Sequence, residues 1–194
     1  MLRKPNYTEL TDQELIKECL ASKRAAQKAL YERYAFHMKG VCLRYASCED
    51  DAEDMLQESF IRIFKSLDNY KATAAFGAWV RRITVNTAIE LLRKKKIRSI
   101  HETQAEIEGG NKVVEQMKTM ELEDVLRKIQ QLPDGYRMIF NLYCIEGYNH
   151  REISELLSIS EGTSKSQLAR AKKLLQRMIA EENEYELNQL NYGG

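Results

Sequence analysis

From Asn149 to Met178 the chain reads NHREISELLSISEGTSKSQLARAKKLLQRM. Asn149 with Glu152 three residues on has the form of a capping box, which opens a short amphipathic helix carrying Ile153, Leu156 and Leu157. Ser158-Ile159-Ser160 makes a tight turn, and Ser160 caps a second, longer and basic helix. On that helix Leu168, Ala171, Leu174, Leu175 and Met178 recur at three and four residues and predict the buried side. Thr163, Lys165, Ser166, Gln167, Arg170 and Lys173 are left for solvent or a ligand. A short helix, a tight turn and a basic second helix predict a helix-turn-helix, which lays its second helix against base edges while its cations meet phosphates. An ordinary helical hairpin would show the same apolar stripe, but without cations concentrated on one helix.

The stretches on either side are also helical. Leu122, Val125, Leu126 and Ile129 predict a helix ending at Leu132-Pro133, and another covers Tyr136 to Ile145. Upstream, Thr11 and Glu14 cap a first helix bearing Leu15, Ile16, Cys19 and Leu20. A second runs from near Lys23 to about Ala46. The third opens on Glu49, Asp50, Asp51, Glu53 and Asp54, acids suited to the positive end of a helix dipole, and buries Met55, Leu56, Phe60, Ile63, Phe64 and Leu67. After the break at 68–73, a fourth runs from about Ala75 to Lys96. The chain has only two prolines, and no strand-like alternation interrupts these patterns. The fold class they predict is all-α. Between Ile97 and Thr119 the sequence carries Gly109-Gly110, many acids and no sustained apolar stripe, which predicts a flexible acidic linker between two small helical domains. Those domains are 8–97 and 120–180, with the linker at 98–119 and an acidic tail at 181–194.

At 194 residues, 43% hydrophobic and 30% charged, the chain has the composition of a soluble globular protein, and none of its apolar runs approaches the length of a membrane span. Polar residues follow Met1-Leu2-Arg3-Lys4-Pro5 where a signal peptide would be apolar, which predicts a cytoplasmic protein. Cys19, Cys42, Cys48 and Cys144 form no CxxC pair, and His37, Cys42 and Cys48 lack zinc-ligand spacing, so neither a metal nor a cofactor is expected. The formal net charge of +1 argues against a nucleic-acid partner only if the charge is evenly spread. It is not. Between Arg81 and Arg98 seven bases face the single acid Glu90, whereas Glu49 to Glu58 holds six acids and no base. Acids again dominate Ser99 to Asp124, and bases return after Arg151.

With these blocks in this order, the chain resembles the extracytoplasmic-function sigma factors of the sigma-70 family, subunits that direct bacterial RNA polymerase to promoters. DAEDMLQESFIRIFKSLDNY (Asp51 to Tyr70) resembles family region 2.2, and FGAWVRRITVNTAIELLRKKK (Phe76 to Lys96) resembles regions 2.3 and 2.4. LPDGYRMIFNLYCIEGYNHREISELLSISEGTSKSQLARAKKLL (Leu132 to Leu175) resembles region 4. The resemblance implies that Asp54, Gln57, Glu58 and Phe60 dock on the clamp helices of the polymerase's largest subunit, with region 4 at the flap. It implies that Tyr70, Lys71, Ala72 and Asn86 receive a flipped base of the melted minus-ten strand, with Arg81, Arg82, Arg93, Lys94 and Lys95 on promoter phosphates. Trp79, one turn into an amphipathic helix, reads instead as core packing. In region 4 it implies that Thr163, Lys165, Ser166, Gln167, Arg170 and Lys173 meet the minus-thirty-five element.

Two positions depart from the family's GTVKSR pattern: Ser164 replaces an apolar residue, which predicts a looser hairpin, and Gln167 replaces a common arginine; just beyond it, Ala169 stands where a larger side chain is common. The resemblance further implies a membrane-bound anti-sigma factor as partner, with no small-molecule substrate, no membrane insertion and no catalysis. Two other functions fit parts of the sequence. A one-component regulator would use only the helix-turn-helix on DNA, with the N-terminal helices sensing a ligand or dimerising, and a nuclease would need metal-ligating carboxylates that the acidic helix does not pattern.

Overall fold

The computed structural model describes the backbone of residues 6–102 and 122–192 and the side chains of 6–94 and 124–181. Every regular element among the described residues is helical. The chain divides into two compact units, Met1–Lys112 and Val113–Gly194.

The first unit is built from α1 (Asp12–Leu20), α2 (Arg24–Tyr45), α3 (Glu49–Lys65), a 3-10 turn (Leu67–Asn69) and α4 (Phe76–Glu102). Both halves of the expected capping box form at α1: the Thr11 amide donates to Glu14 Oε2 at 2.8 Å, and the Glu14 amide donates to Thr11 Oγ1 at 3.4 Å. Asp12 then ties α1 to α2, its two carboxylate oxygens accepting from Arg33 Nη1 at 2.9 Å and from the Tyr34 hydroxyl at 2.6 Å. Helices α2, α3 and α4 pack on one another around Leu30, Val41, Tyr45, Ile63, Val80 and Val85, all at most 2% exposed. Burial is worth about 1.5–3 kcal/mol for each large apolar side chain and is the main source of stability here. Cys19 and Cys42 belong to this core, where burial pushes their thiols up to about 11 and about 12. At physiological pH they act as small apolar groups.

Helix α4 runs on to Glu102, six residues past Lys96, where its apolar stripe fades. The backbone therefore stays helical through the first residues assigned from sequence to the linker; residues 103–119 lie outside those described. Lys95 also lies in α4, but its side chain is outside the described ones.

The second unit contains α5 (Leu122–Gln130), α6 (Asp134–Phe140), α7 (His150–Leu157) and α8 (Glu161–Tyr192). Helix α6 continues into a π-helical turn, Asn141–Ile145. Ile129 and Leu132 pack on Ala171 and Leu175 of α8, with Tyr136, Phe140, Ile145, Leu174 and Met178 around them. The expected capping box at α7 forms, with the Asn149 amide donating to Glu152 Oε2 at 2.8 Å and the Glu152 amide donating to Asn149 Oδ1 at 3.0 Å. Ser158 ends α7 in the left-handed region at φ 55°, and the Thr163 amide donates to Ser160 Oγ at 3.0 Å to cap α8. Helix α8 does not stop near Met178. Its backbone continues through the acidic segment to Tyr192, because no proline or glycine intervenes and helix-forming residues fill 179–190.

Candidate nucleic-acid and partner interfaces

Helix α4 has a buried and an open side. Val80, Thr84, Val85, Thr87, Ala88, Ile89 and Leu92 are buried. Hydroxyls within the helix are satisfied locally, Thr84 Oγ1 donating to the Val80 carbonyl at 3.0 Å and Thr87 Oγ1 to that of Ile83 at 2.8 Å. Opposite lie Trp79, Arg82, Asn86 and Arg93, at the three-, four- and seven-residue spacings that share one helical face. Arg82, Asn86 and Arg93 are exposed and Trp79 half-buried. Arg81 does not join them: it is half-buried and sits about 140° around the helix from Asn86. Lys94 lies on the open side, but its Nζ is 2.7 Å from Glu90 Oε1.

Tyr70 packs at the N-terminal end of this face. Its ring lies 5.0 Å from that of Phe76 and 5.4 Å from that of Trp79, and its hydroxyl donates to the Ala74 carbonyl at 2.6 Å. That bond closes the loop 70–75, in which Lys71 and Ala72 are exposed and Ala72 adopts φ 53°. Trp79 stacks on Phe76 at 5.5 Å and 25°, so the packing expected of it is present, yet it is not fully buried. Along α4, about two helical turns, or 10 Å, separate Asn86 from the Trp79 that Tyr70 touches. Sequence reasoning missed that Trp79 lies between Tyr70 and Asn86 on the same face, a position its spacing of seven from Asn86 already encodes.

On α3, Asp54 and Gln57 are exposed and Glu58 half-buried. Phe60 is not available for docking. It is 3% exposed, with its ring 4.6 Å from Tyr31 and 6.1 Å from Phe64, because position 60 faces α2. The apolar side chain on the outer face is Ile61, 47% exposed and four and seven residues after Gln57 and Asp54. Glu58 accepts from Arg62 Nε at 2.8 Å, so this carboxylate is engaged within the unit.

On α8, Lys165, Ser166, Arg170 and Lys173 are exposed. Arg170 and Lys173 have no hydrogen-bond or ion-pair partner among the described residues, whereas Lys165 lies 3.4 Å from Glu161 Oε2. Thr163 is half-buried and its hydroxyl is 2.9 Å from Ser160 Oγ, so it serves the cap. Gln167 turns inward. It is half-buried and lies over the start of α6, where a β-carbon added to Gly135 would sit 3.2 Å from its Oε1. Ser164 is fully buried, and its Oγ is 2.9 Å from Nδ1 of His150 on α7. Where the family pattern has an apolar side chain, this serine is buried and takes part in a hydrogen bond between α7 and α8.

Two family descriptions match the chain: Sigma-70 region 2 over residues 30–97 and Sigma-70, region 4 over residues 122–175, together well over half its length. The chain belongs to the sigma-70 family. The ECF RNA polymerase sigma-E factor of Haemophilus influenzae is 29% identical over 183 residues, covering 88% of this chain and 96% of the relative. That of Escherichia coli K12 is 27% identical over 183 residues, with coverage of 88% and 95%. Among solved structures, the sigma factor RpoE of Bartonella quintana, in complex with the anti-sigma factor NepR, superposes with a TM-score of 0.55 at 20% identity, covering 79% of this chain and 96% of that one. It shares the fold. In this sigma factor the region 2 match takes in most of α2, all of α3 and the greater part of α4, and leaves α1 outside; the region 4 match ends within α8.

Proposed function

We propose that this sigma factor binds core RNA polymerase through the outer face of α3, takes the melted minus-ten strand along the open face of α4, and reads the minus-thirty-five duplex with α8. The observation that carries this reading is the presence, in two separate units, of two helices with exposed cations, Arg82 and Arg93 beside Asn86 on α4 and Lys165, Arg170 and Lys173 on α8. One duplex-reading module would explain only the second. Acidic Asp54 beside Ile61 suits a basic partner surface with an apolar centre, such as a polymerase clamp helix. Stacking of an unpaired base on a partly exposed aromatic, and hydrogen bonding by the Asn86 amide, offset the few kcal/mol needed to unstack duplex DNA.

The tasks divide along the chain as 8–97 for region 2, 98–119 for the linker, 120–180 for region 4 and 181–194 for the acidic tail. The subunit carries out no catalysis of its own. No described helix is long and apolar enough to cross a membrane, which fits the proposed cytoplasmic location. A membrane-bound anti-sigma factor is the proposed regulator; the Bartonella relative is itself in complex with an anti-sigma factor.

The test is run-off transcription with core polymerase on a template carrying DNA from upstream of the protein's own coding region. A promoter-dependent product that needs this chain is expected. Its absence, with duplex binding retained, would favour a one-component regulator instead.

A further inference from the structure

Buried hydroxyls in a helix normally return their hydrogen bond to their own backbone. Ser59, Thr84 and Thr87 do this, donating to Met55, Val80 and Ile83 at 2.6, 3.0 and 2.8 Å. Ser164 differs: fully buried, it bonds to a side chain fourteen residues away on another helix. The imidazole it meets, His150, is the first residue of α7 and stacks on Tyr143 of the π-helical turn at 4.5 Å and 24°. Lys172 of α8 closes over the same tyrosine ring, 5.8 Å from its centroid. Three segments thus converge on one imidazole, which a single hydrogen bond ties to the first turns of α8.

This junction matters because α7 is otherwise held lightly. It has eight residues, of which only Ile153 is fully buried, while Leu156 and Leu157 are half-buried. A two-turn helix with one fully buried and two partly buried apolar side chains is constrained mainly by non-directional contacts, and the hydrogen bond adds a directional one. Ser164 immediately precedes Lys165 and Ser166 and lies six residues before Arg170, so the bond fixes the rotation of the turns that present them.

We propose that His150 and Ser164 are positioning residues that set how α8 meets its DNA, and thereby its sequence discrimination. The inference rests on α7 and α8 being a DNA-reading pair, as argued above. It assigns no protonation state to His150, since a serine hydroxyl can donate to or accept from Nδ1.

The experiment uses the full chain assembled with core polymerase. Its probes are a duplex enriched by the wild type from a pool randomised over the upstream promoter block, and the same duplex with that block scrambled. Loss of folded protein multiplies both affinities by one factor and leaves their ratio unchanged; mispositioning lowers the ratio. Ser164→Ala and His150→Leu should each lower it on the order of fivefold, which corresponds to one hydrogen bond of about 1 kcal/mol. The double variant should be no worse than either single one. His150→Asn, which keeps a polar atom near the position of Nδ1, should hold the ratio near wild type. An unchanged ratio in both single variants, additive losses, or His150→Asn as impaired as His150→Leu would overturn the proposal. A wild type that enriches no duplex would instead sink the DNA-reading assignment, and this inference with it.

Discussion

Arg62 of α3 and Glu90 of α4 form an ion pair of 2.5 Å that joins the proposed polymerase-docking helix to the proposed promoter helix. Each partner is shared, Arg62 with Glu58 at 2.8 Å and Glu90 with Lys94 at 2.7 Å. The hydrogen bonds from Arg62, and then from Lys94, hold the Glu90 carboxyl at about 2, well below its ordinary value near 4.5. A carboxylate lowered on folding adds stability that is present above about pH 4.5 and is lost as pH falls through about 2. With 43% of the Glu90 side chain exposed, solvent screens the pair and limits this to about 1 kcal/mol or less. Glu90→Gln should therefore lower the thermal midpoint slightly at neutral pH, and the gap to wild type should narrow steadily between pH 4.5 and 2. A gap independent of pH over that range would show that the charge is not what matters.

Neighbouring residues on α3 should separate folding from docking. Phe60→Ala empties a site enclosed by Tyr31 and Phe64 and should destabilise the protein by about 3–5 kcal/mol, as read by denaturant unfolding. Ile61→Ala removes an exposed side chain and should leave stability within about 0.5 kcal/mol, while weakening association with core polymerase at least severalfold in a fluorescence titration. Equal stability losses in the two variants would contradict the burial pattern. An unchanged polymerase affinity in Ile61→Ala would move the docking face elsewhere.

Phe60 and Ile61 are separated by helical phase already in the sequence. Periodicity puts Phe60 with Leu56, Ile63 and Leu67 on the buried stripe of α3, whereas Ile61, one residue and about 100° further round, falls outside it; the docking role implied for Phe60 by the family resemblance ran against that phase. The same holds for Arg81, whose place away from Asn86 follows from helical phase that its charge had masked. Capping chemistry was more legible, since Thr11 with Glu14 and Asn149 with Glu152 need only local backbone to form both halves of their boxes. The role of Ser164 was not, because its partner is fourteen residues away and depends on the α7–α8 crossing.

Asn86 is exposed, so Asn86→Ala should change stability little. If its amide holds an extruded base, the variant should slow open-complex formation, followed by permanganate reactivity of unpaired thymines, more than it weakens initial duplex binding. Equal losses in the two measurements would contradict that role.

Arg170 and Gln167 lie three residues apart on α8 but differ in exposure. The Arg170 guanidinium is exposed with no partner among the described residues, whereas Gln167 lies over Gly135. Arg170→Ala should reduce affinity for the minus-thirty-five duplex by about 1–3 kcal/mol if the guanidinium reads a base edge, and should relax preference at one base pair. If it meets phosphate, the loss should be uniform across sequences and the salt dependence should become shallower by about one counterion. Gln167→Ala should instead loosen the packing of α6 on α8, lowering stability modestly with base preference intact. Measuring affinity against a panel of single-base variants at two salt concentrations separates these outcomes. A change of base preference in Gln167→Ala would mean that its side chain turns outward on DNA.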